Sequence, residues 1–574
     1  MGRSGWSRDP FFFGKATPKS VRIEGAHCSQ TFRMSRLRKF LLAVGSAVIV
    51  LGGCMTPPRA LEMSDEAATG IVAEKQKALF GESRPYSVVR PDGREHPTAI
   101  DSATGLASRP APLKLSRANI LEYAARNSRE FQTERERLYR AALALASERE
   151  DFTFHPFARV GADVKEDAGV DSVSGNTQIG TTRLLEQGGS FLLFAGASFL
   201  TFGSGGASTT SSLLGMNLSL PLFRNAGEDV AMENLRQADR NALYALRDFE
   251  RYKQRFAVDV EVRFLRLLSL ARQVGNEERN LQRLRETRER NEALAEAQRL
   301  TEIQVDQARQ NELDAQSRVL LSKNRFQSAQ DEFKRILGVP VDLLIDVDPN
   351  ELADLEPLMA RGAPVPDTVA MRQGLRLRLD LQNVRDDLTD AMRQITLAEN
   401  ALEPDLRLDL LGEVPNAPGS TFRPRFEDGV YRAGISGDLG LYRNSEAFSL
   451  RSAHLDRESA ARAIEGYEDV VKTEIRLAMR NLEQGRINYD IQKNAVAVAA
   501  RRVESVNEFI LRGDAATRDL LEAQSSLVRA ENSLSDAIVE YRNSFLSFYR
   551  DTGALVMRPE GLDHETSDAL LQAP

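Results

Sequence analysis

The chain has 574 residues, 28% charged and 7% aromatic, with a net charge of −7 and a mean hydropathy of −0.37. That balance excludes a helical membrane protein and argues against nucleic acid as a partner; it suits long helices rich in Ala, Leu, Arg, Glu and Gln. The two cysteines are Cys28 and Cys54, and the five histidines never stand at i, i+3 or i, i+4, so no metal or other cofactor is expected.

Positive charge gathers at the start. In "MSRLRKFLLAVGSAVIVLGGC", Arg36, Arg38 and Lys39 precede an apolar run from Phe40 to Leu51. That run is too short to cross ~30 Å of hydrocarbon as a helix. Residues 1–53 therefore read as a signal peptide, with Met34 as the expected true start. Leu51-Gly52-Gly53-Cys54 resembles the lipobox of bacterial lipoproteins. The resemblance implies acylation of Cys54, palmitate included, and Met55 after it implies transfer to the outer membrane. Residues 54–112 hold Pro57, Pro58, Pro85, Pro91, Pro97, Pro110 and Pro112 without clear periodicity, and read as a lipidated N-terminus and tether.

The rest of the chain repeats itself. "LPLFRN" at Leu220 returns as "LGLYRN" at Leu439, and the segment from Val305 to Gly338 returns from Leu520 to Gly553. In the second pair Ala308 meets Ala523, Phe326 meets Tyr541, Phe333 meets Phe548 and Arg335 meets Arg550. Upstream, "FQTERERLYRAA" at Phe131 aligns with "LQNVRDDLTDAM" at Leu381. Three matches in one order make a duplicated unit, residues 113–338 and 367–556, joined by a linker at 339–366 and followed by a tail at 557–574.

Each unit opens with a predicted helix (Ser116 to Glu150; Asp367 to Leu402) that stops near Pro156 or Pro404. Alternating stretches such as "FARVGADV" and "LRLDLLGEV", and then "LLGMNLSLPLF" and "VYRAGISGDLGLY", predict two strands per unit. Unit one carries extra residues between its strands, including Leu184 to Gly206, which read as either an external hairpin or an extended strand pair. A long proline-free run follows, where Leu246, Phe249, Phe256, Val260, Phe264, Leu267, Ala271 and Val274 mark a coiled-coil seam. Its charged second half, "EERNLQRLRETRERNEALAEAQRL", reads as solvated. A helix of about 70 residues spans ~105 Å, the length of two helices of about 35 stacked end to end. Four strands per chain cannot close a membrane barrel, since the smallest have about eight, so several copies are needed.

The lipobox, the duplicated helix–strand–strand–long helix–helix unit, "PLFRNAG" at Pro221, "DLLEAQSSL" at Asp519 and the closing Gly338 and Gly553 together resemble the TolC family of outer-membrane efflux proteins, lipoprotein branch. The resemblance covers roughly residues 113 to 557. It implies a mainly α fold with membrane β: a homotrimer whose 12-stranded β-barrel in the outer membrane continues into an α-helical periplasmic tunnel. It also implies a non-enzymatic exit duct, for tripartite efflux or type I secretion, docking on a periplasmic adaptor and an inner-membrane pump. The tips, Arg299, Leu300, Thr301 and Glu302 in unit one and Arg512, Gly513, Asp514 and Ala515 in unit two, are the expected adaptor contacts. Glu302, Asp306, Asp514 and Asp519 are candidate aperture charges, because a repeated ring of carboxylates attracts cations and bars other passage. The first tip, "QRLTEIQ", lacks the glycine of "LRGDAAT". The phenylalanines Phe154, Phe157, Phe191, Phe194, Phe199, Phe202 and Phe223 read as a lipid-facing belt, with Tyr431 and Tyr442 at the interface. The competing reading is a lipid-anchored periplasmic coiled-coil scaffold or adaptor without a pore.

Overall fold

The computed structural model describes residues 55–88, 112–167, 170–202, 209–355, 366–417, 423–512, 514–558 and 561–563. The signal peptide, Cys54 and Gly513 lie outside the described residues. Residues 1–63 form one unit, of which only the start of the first helix is described, and residues 64–574 form the other, treated below.

Two long helices dominate: α5 (Glu233–Glu296) and α9 (Asn444–Arg512), of 64 and 69 residues. Each spans about 100 Å at ~1.5 Å per residue. Each pairs with two shorter helices in turn. In the half near the sheet, α3 (Arg129–Glu150) packs on α5, and α8 (Leu379–Asn400) lies between α5 and α9. In the distal half, α6 (Glu302–Leu337) packs on α5, and α10 (Thr517–Asp551) lies between α5 and α9.

The seam on α5 is buried at Leu246, Phe249, Phe256, Val260, Phe264 and Leu267. It loosens at Ala271 and Val274, which are half-buried, because the interface with α10 turns polar there. Ser269 donates to Asp536 at 2.9 Å and Asn276 donates to Asn532 at 2.8 Å. This corrects the reading of the charged half as solvated: Asn276, Asn280, Leu284, Thr287 and Asn291 are buried in a seam of three- and four-residue steps. Its charges are carried on the flanks. Arg288 and Arg285 both reach Glu312 on α6, at 2.6 and 3.3 Å.

The helix predicted over Ser116 to Glu150 is two, α2 (Ile120–Asn127) and α3, broken at Ser128. The one predicted over Asp367 to Leu402 is also two, α7 (Asp367–Leu377) and α8, broken at Arg378. Both break residues are extended, with ψ of 128° and 116°. Gly338 and Gly553, at φ of +73° and +74°, close α6 and α10 directly against Asn127 and Leu377, the residues before the two breaks. Around each junction lies a core: Phe131, Phe256, Phe264 and Phe333 in one, and Leu381, Ile475, Leu546 and Phe548 in the other. A parallel pair, β1 (Leu113–Leu115) with β6 (Ile345–Val347), covers the first core.

Arg378 fills its own break. Its guanidinium reaches Asp380 at 2.6 Å and also Glu474, while Tyr467 donates to the same Asp380 carboxylate at 3.0 Å. Burial alone would raise Asp380, but the Arg378 hydrogen bonds and the Arg251 charge outweigh it and hold the carboxyl at about 2. A carboxylate depressed in the fold stabilises above its unfolded pKa, here 3.8, and loses that stabilisation as pH falls through the folded value. Acidification from about pH 4 to pH 2 is therefore expected to remove about 2 kcal/mol, and Asp380→Asn should flatten that part of a urea-midpoint profile.

The reading of residues 54–112 as a plain tether is corrected over its first half. Helix α1 (Pro57–Phe80) buries Ala68, Ile71, Val72 and Gln76. Tyr139 on α3 donates to Asp65 at 2.5 Å, and Arg149 clasps Glu74 at 3.0 Å. The two prolines sit at the start of α1, where a missing N–H costs nothing.

Candidate functional site

The long helices carry at one end a six-stranded antiparallel sheet in the order β2-β3-β4-β5-β7-β8. Its strands are β2 (His155–Asp167), β3 (Val170–Leu184), β4 (Ser190–Phe202), β5 (Thr209–Pro221), β7 (Asp405–Pro415) and β8 (Val430–Asp438). This corrects the expected count of two strands per unit: unit one has four. The ambiguous segment from Leu184 supplies β4, which lies within the sheet and pairs with β3 on one side and β5 on the other.

Register separates the two faces, because side chains alternate along a strand. Ala158, Ile179, Ala195, Leu214 and Val414 are consecutive partners across five strands and share one face. Leu193, Met216, Gly412 and Tyr431 form the next row of that face. Charges in the body of the strands, Arg159, Asp163, Arg407, Asp409, Glu413 and Arg432, all take the other face by the same register. On that face Asp409 accepts from Ser219 and Ser436, both at 2.7 Å. One side is thus largely apolar, broken by Thr177, Thr181 and Ser212 and by Arg183 near the end of β3, and the other carries the charges of the strand bodies. Val164 and Ile435 on the apolar side are 80% and 70% exposed.

The two outer strands have open edges, and β8 is exposed at all nine residues. The helical layer is open on the same two sides. Outward-facing Leu313 and Leu320 on α6 stand seven residues apart, as do Val470 and Leu477, and Ile491 and Val498, on α9. Seven-residue spacing of unpartnered apolar groups is the mark of a coiled-coil seam awaiting a second helix.

At the far end, two hairpins form the tips. In the first, Arg299 donates its amide to the Leu294 carbonyl at 2.9 Å and Gln298 to Ala295 at 2.8 Å, which closes α5 with a Schellman turn. Gln298 holds φ of +56°, where glycine is usual. In the second, Asp514 donates to Phe509 at 2.9 Å, the same closure. The first tip thus closes through a glutamine in the left-handed region, at a position where glycine is usual. Gln298→Gly is expected to raise the urea midpoint, by about 0.5–1 kcal/mol, once the relieved strain is set against glycine's greater freedom when unfolded. The tips are held together by Leu284, Ala315 and Leu521 and by Asn291 donating to Thr517 at 3.4 Å. Arg299, Thr301, Glu302, Asp306, Arg512, Asp514 and Asp519 are exposed, whereas Leu300 and Ala515 are half-buried. The Asp519 carboxylate accepts from the Ala516 amide at 3.0 Å and so caps α10.

No family model matches the chain, and no curated protein matches it. Solved structures do. The Campylobacter jejuni CmeC outer membrane channel aligns with a TM-score of 0.55 at 14% identity, over 79% of this chain and 87% of that one. The outer-membrane channel OprN aligns at 0.54 and 17%, over 81% of this chain and 99% of its own. CusC, whose structures describe transmembrane channel formation, aligns at 0.55 and 13%, over 76% and 91%. The chain has the TolC fold.

Within that TolC fold the repeated "LFRN" and "LYRN" mark the junction of sheet and helix. Arg443 donates to the carbonyls of Leu402, Glu403 and Gly440, which ties β8 to the end of α8. In unit one, Asn225 donates its amide to Asn400 at 2.7 Å and holds φ of +63°. In the sequence this motif marks the repetition and contributes to the family resemblance, and its recurrence is the signal for a structural role. The phenylalanine belt is divided. Phe191 and Phe199 share the apolar face, but register puts Phe157 and Phe194 on the polar one. There the Phe194 ring lies over Gly215, where a Cβ would come within 2.3 Å of it, and a Cβ at Gly180 would meet the Phe157 ring at 2.9 Å. Among the described residues no helix is long and apolar enough to cross a membrane, and no cluster of three or more His, Cys, Asp or Glu is arranged to hold a metal.

Proposed function

We propose that this chain is the outer-membrane exit duct of a tripartite efflux or type I secretion system. The observation that carries the reading is the two-faced sheet at the end of the paired long helices: it offers hydrocarbon to lipid and charge to a lumen. Open edges cannot face lipid, so copies must join edge to edge, and the seams on α6 and α9 fit the same ring. Three copies, as the TolC resemblance implies, make a barrel that continues into a helical periplasmic tunnel. Acylated Cys54 is a supplementary anchor. Arg299, Leu300, Thr301, Glu302, Arg512, Gly513, Asp514 and Ala515 are the surface for a periplasmic adaptor, above an inner-membrane pump. Glu302, Asp306 and Asp514 line the aperture, with Asp519 shared between that ring and its helix cap. A poreless scaffold leaves the apolar face of the sheet without a use.

The full chain, purified in detergent and fused with a planar bilayer, is expected to show stepwise conductance. A monomer that stays soluble without detergent and never conducts overturns the reading. Ile435→Lys places a charge on the apolar face, which costs about 2–4 kcal/mol at a bilayer midplane, and is expected to deplete the assembled membrane fraction.

A further inference from the structure

The strands β3 and β4 have no counterpart in the second unit, where β7 and β8 are joined through a single bridge, Asn416 to Pro424, and a short 3-10 turn. They are inserted between β2 and β5, and each is paired along its length on both sides. We propose that this insert is part of the membrane wall, so that each copy supplies six strands and β8 of one copy pairs with β2 of the next. The proposal rests on the exit-duct reading, and with its three copies the barrel has eighteen strands rather than twelve.

Four observations carry it. Within the insert β3 keeps the two-faced alternation, with Val173 and Ile179 on the apolar face and Ser174, Asn176 and Gln178 on the polar face, while β4 sets Phe191, Leu193 and Ala195 on the apolar face and Leu192, Phe194 and Leu200 on the other. At 15 and 13 residues, β3 and β4 exceed the roughly 9–11 that a tilted strand needs to cross a bilayer. Their pairing is complete where it stands: β3 is bonded to β2 and β4 to β5 along the strands, so removing them from the barrel would require both ladders to break and β2 and β5 to pair anew with each other. Finally, parity is preserved. Six alternating strands leave β2 and β8 running in opposite directions, so a ring of identical copies closes with antiparallel pairing throughout; an insert of one strand would not allow it.

The consequence is a wider mouth. Barrel diameter grows about linearly with strand number, so eighteen strands give a diameter about 1.5 times that of twelve at equal tilt. The outlet then offers little resistance, and selection falls to the helical tips.

Electron microscopy of the full chain in lipid nanodiscs tests this directly. Eighteen membrane strands are expected. Twelve, with residues 170–202 outside the bilayer, would overturn the insert while leaving the exit duct intact. No transmembrane barrel at all would overturn the exit-duct reading itself. Cysteine probes give a second measurement that needs no map. With a membrane-impermeant maleimide, Gln178→Cys is expected to label, and Ile179→Cys and Leu408→Cys to lose labelling on reconstitution. Labelling of Ile179→Cys with Leu408→Cys still shielded refutes the insert; labelling of both refutes the membrane sheet.

Discussion

Gly338→Ala is expected to destabilise the folded chain by about 3 kcal/mol, the sum of a left-handed backbone penalty of roughly 1–2 and an overpacking cost of roughly 1–3 kcal/mol. The residue holds φ of +73°, and a Cβ there would lie 2.1 Å from the Asn127 carbonyl oxygen. That oxygen is backbone and sits at the break between α2 and α3, so it has no rotamer through which to escape. The equivalent Gly553 has the same φ, of +74°, but its nearest neighbours, all of Leu377, begin at 3.0 Å. Gly553→Ala is accordingly expected to lose less, about 1–2 kcal/mol, from the backbone term alone. Urea midpoints at one fixed protein concentration compare the two. Equal losses would show that the close approach at Asn127 is not what makes the first junction rigid.

Arg542→Ala is expected to cost about 3–5 kcal/mol, because it strands a charge in the interior. Arg542 and Glu261 are 4% and 5% exposed, on α10 and α5, and the guanidinium donates to one carboxylate oxygen at 3.0 and 2.9 Å. Arg117, 3.9 Å from the same oxygen, is the next cation along. Burial lowers the Arg117 pKa, and the Glu261 charge opposes that shift. Replacing both members of a buried pair with apolar groups of similar volume is often close to neutral. The double variant Arg542→Met, Glu261→Leu should therefore recover most of the loss, with a remainder because Arg117 forfeits its carboxylate. A double variant as unstable as Arg542→Ala would mean that the pair contributes net stability rather than only demanding completeness.

Much of this architecture was legible in the residues because it rests on local periodicity. The six apolar positions of α5 from Leu246 to Leu267 recur at the coiled-coil period, and all six are buried. The duplicated segments are mirrored in the fold as well: Ala308 and Ala523 are both fully buried, as are Phe333 and Phe548 nearly so. The breaks at Ser128 and Arg378 were not legible. Neither neighbourhood holds a proline, and Ser128 is a sound N-cap only once the chain has chosen to stop there; its hydroxyl accepts from Phe131 at 3.4 Å. What stands against the breaks is distant in sequence: the turns at Gly338 and Gly553 pack on Asn127 and Leu377 from more than a hundred residues away. The polar seam at Asn276, Asn280, Thr287 and Asn291 was equally hidden, since asparagine and threonine at helical spacing look like an exposed face until α10 supplies partners.

By itself, then, the sequence determined the alternation of long helices and strands and their order along the chain. These follow from spacing along the chain, which no distant contact alters. Only the tertiary structure decided where Leu184 to Phe202 belongs and how α1 lies on α3. A period of two says that a segment is a strand but not which strand it joins, because pairing partners are selected by register and closure, not by the residues of one strand alone. Likewise, the two prolines that open α1 look the same in a tether as in the first turn of a helix, until Ala68, Ile71 and Val72 find a surface to cover.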